Sequence, residues 1–243
     1  MKKVVFLGAK KIGLECLKIL HDKSEELSFE IVGVATNARG KEITEYAKEN
    51  HIELIDGLDG YLNIPEVDIT ISVQYHEILK KQHISKASEI TVNLHMAPLP
   101  EYRGCNQFSF AILEGKELFG TTLHRLEEGI DSGDIIFESR FPISKNIWVE
   151  ELYDITFKKS VELFEQSLAK LIAGNYQMTP QIEFVSERGT SIHYRKEIAD
   201  IKQIDLDWPS EKINRHIRAT HFSGFEPPYT IVDAHKVYLT KEI

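Results

Sequence analysis

Two strings in the chain bring together side chains able to hold an anion and move a proton. The first is Asn93–Leu94–His95, which closes the apolar run Ile90–Leu94 and leads into Met96–Ala97–Pro98–Leu99–Pro100–Glu101–Tyr102–Arg103–Gly104. If the run is a strand, alternate residues point the same way, so Asn93 and His95 face one pocket. A preplaced amide N–H stabilises a developing oxyanion, and an imidazole titrates near neutral pH. Two prolines and Gly104 keep the following loop out of the sheet. The second string is Gly129–Ile130–Asp131–Ser132–Gly133–Asp134, a carboxylate on a glycine-bearing turn. Taken singly, each string also fits an ordinary turn at a strand end.

These groups need a frame, and the first half of the chain supplies one. Apolar runs at Lys3–Leu7, Phe29–Ala35, Ile52–Ile55, Val67–Val73 and Ile90–Leu94 read as strands. Helical patterns fall between them at Ile12–Leu20, Glu42–Asn50 and Glu77–Gln82. Such alternation predicts an α/β fold with a mainly parallel sheet, whose ligands sit outside the carboxyl ends of the strands. Asn106–Leu113 follows as a helix, then strands at Gly120–Leu126 and Ile135–Ile143, with the Asp131 string between them. A long helix runs from about Trp148 to Ile172, with Tyr153, Phe157, Val161, Phe164, Leu168 and Leu171 at helical spacing and Gly174 as the stop. The character changes near Gln181. We expect a catalytic domain over 1–180 and a small module over 181–243, built from a helix near Ser210–Thr220 and a hairpin of Tyr229–Val232 and Lys236–Leu239. That tail is too small for a large core of its own and is expected to pack on the first domain.

Composition narrows the function. The chain has 243 residues and a formal net charge of −9, which disfavours nucleic-acid binding. Its two cysteines, Cys16 and Cys105, have no metal-like spacing and make no disulfide framework. The apolar run Val4–Leu7 is too short for a signal peptide or a membrane span. A cytoplasmic protein without membrane attachment is expected. The histidines show no metal-ligand spacing, so no metal is expected.

In this order and at this separation the two strings are specific. The chain resembles the folate-dependent formyltransferases, a family that includes glycinamide ribonucleotide transformylase, methionyl-tRNA formyltransferase and the nucleotide-sugar N-formyltransferases. The resemblance covers about residues 1–180. It implies a Rossmann-like domain, 10-formyltetrahydrofolate as formyl donor, and Asn93, His95 and Asp131 as the catalytic set. Met96–Ala97 departs from the Pro-Ser that many members carry there, at positions that shape the loop. The chemistry agrees: Asn93 would donate to the formyl oxygen and His95 would take the amine's proton. Asp131 would orient His95, hold its charged form or relay the proton. Gln74–Tyr75–His76 and Ser132, Gly133 and Asp134 would line the pterin pocket.

The acceptor is read from what the first turn lacks. Gly8–Ala9–Lys10–Lys11–Ile12–Gly13 is not a full dinucleotide fingerprint, and it lacks the glycine- and asparagine-rich phosphate loop of glycinamide ribonucleotide transformylase. The acidic charge and an end at Ile243 weigh against a tRNA-binding barrel domain. The tail strings Tyr194–Arg195–Lys196, Ile204–Asp205–Leu206–Asp207–Trp208–Pro209, Ile217–Arg218–Ala219–Thr220 and Pro228–Tyr229–Thr230 resemble those of short bacterial enzymes acting on dTDP-linked amino-dideoxy sugars. This implies a dTDP-sugar acceptor, such as dTDP-4-amino-4,6-dideoxyglucose, and a role in surface-polysaccharide (O-antigen) synthesis. Lys10, Arg103, Arg195 and Lys196 are the expected diphosphate ligands, and Phe222 or Tyr229 the platform for the base. A homodimer through the C-terminal strands is expected. The alternatives are formyl transfer to another amine, or a folate- or nucleotide-binding module without catalysis.

Overall fold

The computed structural model describes residues 1–240. Its first half alternates β1 (Lys2–Gly8), α1 (Lys10–Asp22), β2 (Phe29–Ala35), α2 (Lys41–Glu49), α3 (Gly57–Asn63), β3 (Ile69–Val73), α4 (Lys81–Ile84) and β4 (Ile90–His95). Then come β5 (Arg103–Gly104), α5 (Gln107–Leu113), β6 (Leu118–Arg125), β7 (Ile135–Pro142) and α6 (Val149–Ala173). The tail holds α7 (Ile182–Arg188), β8 (Ile192–His193), α8 (Glu197–Lys202), α9 (Ser210–Thr220), β9 (Tyr229–Val232) and β10 (His235–Tyr238).

One sheet of six strands, ordered β2-β1-β3-β4-β6-β7, forms the centre. β1 to β4 pair in parallel, and β6 and β7 add an antiparallel edge. The parallel strands bury apolar residues on both faces because both faces are covered, with Thr70, Ser72 and Thr91 buried among them. On one face Val4, Phe6, Ile71 and Val92 pack under α1 and α6 through Leu17, Phe164 and Leu168. On the other face Val5 and Leu7 meet Leu58 and Tyr61 of α3. A third cluster, of Tyr102, Ala111, Phe119, Phe141 and Ala219, lies under the loop after β4 and joins it to α5 and α9. The fold is therefore a mixed α/β layer architecture with a mostly parallel sheet and a C-terminal hairpin, in line with the expected class.

Three local readings differ. The helix expected at Glu77–Gln82 forms instead at Lys81–Ile84. Ile78 is 85% exposed, so the segment before it has no apolar face to bury. His83 Nδ1 accepts the Lys80 N–H at 3.0 Å and starts the turn there. The strand expected at Ile52–Ile55 reduces to one parallel bridge between Leu54 and Val34. The long helix keeps Tyr153, Phe157 and Val161 only partly buried. Its most buried stripe instead includes Thr156, Ser160 and Ser167, small polar residues that let α6 approach the sheet. Ser160 Oγ donates to Thr121 Oγ1 of β6 at 2.7 Å. No helix among the described residues is long and apolar enough to cross a membrane.

Candidate active site

β4 ends in the sheet's interior, between β3 and β6. Asn93 stands opposite His124 of β6 in the antiparallel ladder, and His95 opposite Thr122. The Asn93 and His95 side chains thus project from the same face. The loop between β6 and β7 folds back over them and brings in Asp131. Asp131 Oδ2 lies 3.6 Å from His95 Nδ1, and Asp131 Oδ1 lies 3.5 Å from His124 Nε2. The structure therefore brings together Asn93 and His95, which their spacing places on one side, and Asp131, which the resemblance adds to them.

Backbone contacts fix each group. His95 Nε2 donates to the Tyr102 carbonyl at 2.7 Å, which leaves Nδ1 as the nitrogen facing Asp131. Thr121 Oγ1 donates to the His95 carbonyl at 2.9 Å and Thr122 Oγ1 to the Ala97 carbonyl at 2.9 Å, pinning the loop to β6. Asp131 Oδ2 accepts the Gly104 N–H at 2.9 Å. Gly104 has φ +88, and a Cβ there would meet the His193 carbonyl at 2.3 Å, so only glycine fits. Burial raises the Asp131 carboxyl, but the charges of His95 and His124, the His124 ring and the Gly104 N–H outweigh it. The net effect holds Asp131 well below the usual carboxylate range.

Two further residues complete this cluster, and the sequence reading passed over both. His124 is fully buried, with Nδ1 donating to the Arg125 carbonyl at 2.8 Å and Nε2 3.2 Å from Asn93 Nδ2. Gln181, marked in the sequence only as a change of character, donates from Nε2 to the carbonyls of Asp131 at 2.7 Å and Gly133 at 2.8 Å. Asp131 has φ 43, in the left-handed region, and this clamp holds it there.

The expected folate-lining residues divide. Gln74 follows β3 with φ 53 and accepts from Lys10 Nζ at 2.8 Å. Tyr75 stacks edge-on with His76, and its hydroxyl donates to Glu77 at 3.0 Å. Burial and then Glu77 push the Tyr75 phenol up. Around Asp131, the Gly133 and Asp134 carbonyls are already taken, by Gln181 and by the Arg125 N–H at 2.9 Å. Ser132 is half-buried beside them.

Of the expected substrate ligands, Lys10 bonds Gln74 and feels the charge of Arg195. Burial first, then the charges of Arg39 and Arg195, lower the Lys10 amine, with Cys105 acting in the opposite sense. Arg103 turns away to Thr190 Oγ1 at 3.2 Å, and its buried Nε has no hydrogen-bond partner. Lys196 is exposed at the start of α8. Phe222 packs edge-on against Tyr153 at 5.5 Å and joins the cluster under α9. Tyr229 faces Tyr238 at 6.4 Å, with Lys236 Nζ 4.0 Å from its ring centre. The contacts of these two aromatic rings are thus with the tail and α6.

An ionic chain ties the tail to the loop after β4. Arg188 of α7 makes two bonds to Glu138, at 2.9 and 3.0 Å. Arg140 lies 3.6 Å from Glu138 and donates to Glu101 at 2.6 Å. Ser191 Oγ adds a 2.6 Å bond to the Glu101 carbonyl, and β8 pairs with β5.

The chain is similar to known proteins in sequence and in fold. Residues 53–168 match the family model described as formyl transferase. The methionyl-tRNA formyltransferase of Clostridioides difficile (strain 630) is 30% identical over 194 residues, covering 71% of this chain and 60% of that protein. The GDP-perosamine N-formyltransferase of Brucella melitensis is 28% identical over 176 residues, covering 72% of this chain and 65% of that protein. The chain thus spans less than two thirds of either relative. The crystal structure of WlaRD, a sugar 3N-formyl transferase solved in the presence of dTDP and 5-N-formyl-THF, superposes with a TM-score of 0.80 at 27% identity, covering 98% of this chain and 85% of that one.

Proposed function

Since the chain carries a formyl transferase domain over residues 53–168, we propose that it transfers a formyl group from 10-formyltetrahydrofolate to the amine of a nucleotide-linked amino-dideoxy sugar. The observation that carries this reading is the meeting of Asn93, His95 and Asp131 at the carboxyl end of β4, with Asp131 Oδ2 3.6 Å from His95 Nδ1 and 2.9 Å from the Gly104 N–H. The charges of Arg39 and Arg195, which act on the Lys10 amine, suit a diphosphate. The sugar acceptor draws further support from the likeness to WlaRD. A dTDP-4-amino-4,6-dideoxy sugar is the specific acceptor we favour.

The chain's own groups account for the chemistry. The folate supplies the formyl carbon. The loop Gln74–His76 and Ser132 flank the Asn93–His95 face, and backbone left in a left-handed conformation at Gln74 offers polar groups for a pterin. Asn93 directs an amide N–H at the formyl oxygen as negative charge develops there. His95 takes the amine's proton on Nδ1, because its Nε2 is committed to the Tyr102 carbonyl. The Asp131 carboxylate, 3.6 Å away, pairs with the imidazolium, which gives the proton to the folate nitrogen as its bond to the formyl carbon breaks. Of the roles open to Asp131, holding the charged form of His95 fits this geometry best. Lys196 adds to the polar rim, Arg103 would join it on leaving Thr190, Phe222 and Tyr229 are the aromatic groups proposed for the base, and β9–β10, with Ile231, Val232, Val237 and Tyr238 all exposed, is the surface proposed for a homodimer.

A thermal-shift screen tests the reading. A ligand that binds only the folded state raises the melting temperature by mass action. Stabilisation by 5-formyltetrahydrofolate and by dTDP, but not by a short tRNA, is the expected result. Stabilisation by tRNA in place of any nucleoside diphosphate would overturn the sugar acceptor. No response to the folate would overturn formyl transfer.

A further inference from the structure

β8 gives no side chain to the scheme above, yet it lies against the loop that meets Asp131. It pairs in parallel with β5, Arg103 beside Ile192 and Gly104 beside His193. The Arg103 N–H donates to the Ser191 carbonyl at 3.1 Å, and the Cys105 N–H to the His193 carbonyl at 2.8 Å. In a ladder only every second N–H faces the partner strand. With residues 103 and 105 facing β8, the Gly104 N–H is turned to the opposite side. There it donates to Asp131 Oδ2 at 2.9 Å. The direction of this one catalytic-loop hydrogen bond is thus set by a strand of the tail.

A strand of two residues needs a grip, and the His193 side chain supplies one at the residue paired with Gly104. Its ring lies flat on Phe110 of α5, with centroids 3.5 Å apart and planes 10° from parallel. Nδ1 donates to Glu197 Oε2 at 2.9 Å, and Glu197 Oε1 takes the Tyr194 N–H at 2.6 Å. Nε2 is buried without a hydrogen-bond partner. The ring's polar edge is therefore only half used while its face is fully in contact, so the stack on Phe110 is the stronger part of the grip. Asn106 Nδ2 and Ser191 Oγ tie the flanking residues, to the Tyr194 and Glu101 carbonyls. Neither bears on residue 193 itself.

We propose that His193, stacked on Phe110, is a positioning residue that turns the Gly104 N–H toward Asp131 and so sets that carboxylate beside His95. The proposal rests on the reaction given under the preceding heading, but its first test does not. NMR of the isotope-labelled full chain reads the coupling between the Gly104 nitrogen and the Asp131 carboxylate carbon across their hydrogen bond. The coupling is expected in wild type. It should fall about twofold or more in His193→Ala, since such a bond weakens steeply as its geometry opens. His193→Phe keeps a ring on Phe110, gives up only the Glu197 bond, and should restore the coupling. Phe110→Leu removes the other ring and should repeat the loss; it decides the matter if His193→Ala does not fold. No coupling in wild type, or a wild-type coupling in a folded His193→Ala or Phe110→Leu protein, overturns the proposal whether or not the protein transfers formyl groups.

Kinetics supply the second test. His193→Ala should lower kcat about 10-fold with KM for the folate unchanged, as expected when a group beside the reacting atoms is misplaced. His193→Phe should recover most of that loss. A folded His193→Ala protein within about twofold of wild-type kcat would overturn the role. So would a loss that His193→Phe fails to rescue while its melting temperature matches wild type. A wild-type protein without formyl transfer would instead sink the reaction, leaving the NMR result to decide His193.

Discussion

His95 donates its Nε2 hydrogen to the carbonyl of Tyr102, seven residues further on, and is left with one nitrogen for chemistry. In the reaction we propose, Nδ1 is therefore the nitrogen that acts as base, with Asp131 beside it. Replacing His95 by Asn or by Gln should lower kcat by about 10²- to 10⁴-fold, the usual worth of a positioned base. Single-turnover transfer measures the loss. The rise in melting temperature with dTDP should persist, because the cationic cluster lies on other elements.

Asp131 makes a prediction about acid. Its folded carboxyl lies below the ordinary value, so it contributes stability above the unfolded carboxylate range, near pH 4. That contribution is lost as pH falls through the lower folded value. The melting temperature of wild type should exceed that of Asp131→Asn at neutral pH, and the gap should narrow below about pH 4. A gap that widens toward acid would contradict the assignment of a depressed carboxyl.

Gln181 can be tested by deletion of its amide. Gln181→Leu leaves the buried carbonyls of Asp131 and Gly133 without donors, at about 2–4 kcal/mol in all. Urea unfolding measures that cost. The left-handed Asp131 should relax as well, so kcat should fall about tenfold or more.

Lys10 should act on binding. Its half-buried amine reaches Gln74 and stands among other cations, an arrangement that favours an anion. Lys10→Ala should weaken dTDP binding about 10-fold, the worth of one charged hydrogen bond, and leave folate binding within a few-fold. Calorimetry with each ligand separates the two effects.

Much of the frame is legible in the residues. The strands that carry the site are apolar because they are covered on both faces, and their ends stand where polar residues begin. Asn93 and His95 are legible as polar groups on one side of a strand where an apolar run stops, whereas Asp131 joins them only through the likeness of the two strings to a known family. His124 is not, because it sits inside a run, Leu118–Arg125, where a polar residue reads as an exposed strand position. Its partner is set by the antiparallel register of β4 and β6, which depends on the whole sheet. Gln181 hides for a related reason: its bonds are to backbone carbonyls fifty residues away in sequence. The contacts of Phe222 and Tyr229 follow from how the tail docks, which local pattern does not encode.

The order in which the ribosome delivers the chain gives the Gln181 clamp and the Arg188–Glu138–Arg140–Glu101 relay a further meaning. When residue 168 emerges, every side chain of the catalytic set has been made, yet Asp131 still lacks its clamp and Glu101 its distant anchor. Domains form from the N-terminal side during synthesis, so a folded but unfinished sheet precedes a finished site. Competence would then arrive late and together, once the segment from Gln181 to His193 locks onto the older half. Premature termination in that interval would release a chain whose Asp131 loop lacks its clamp.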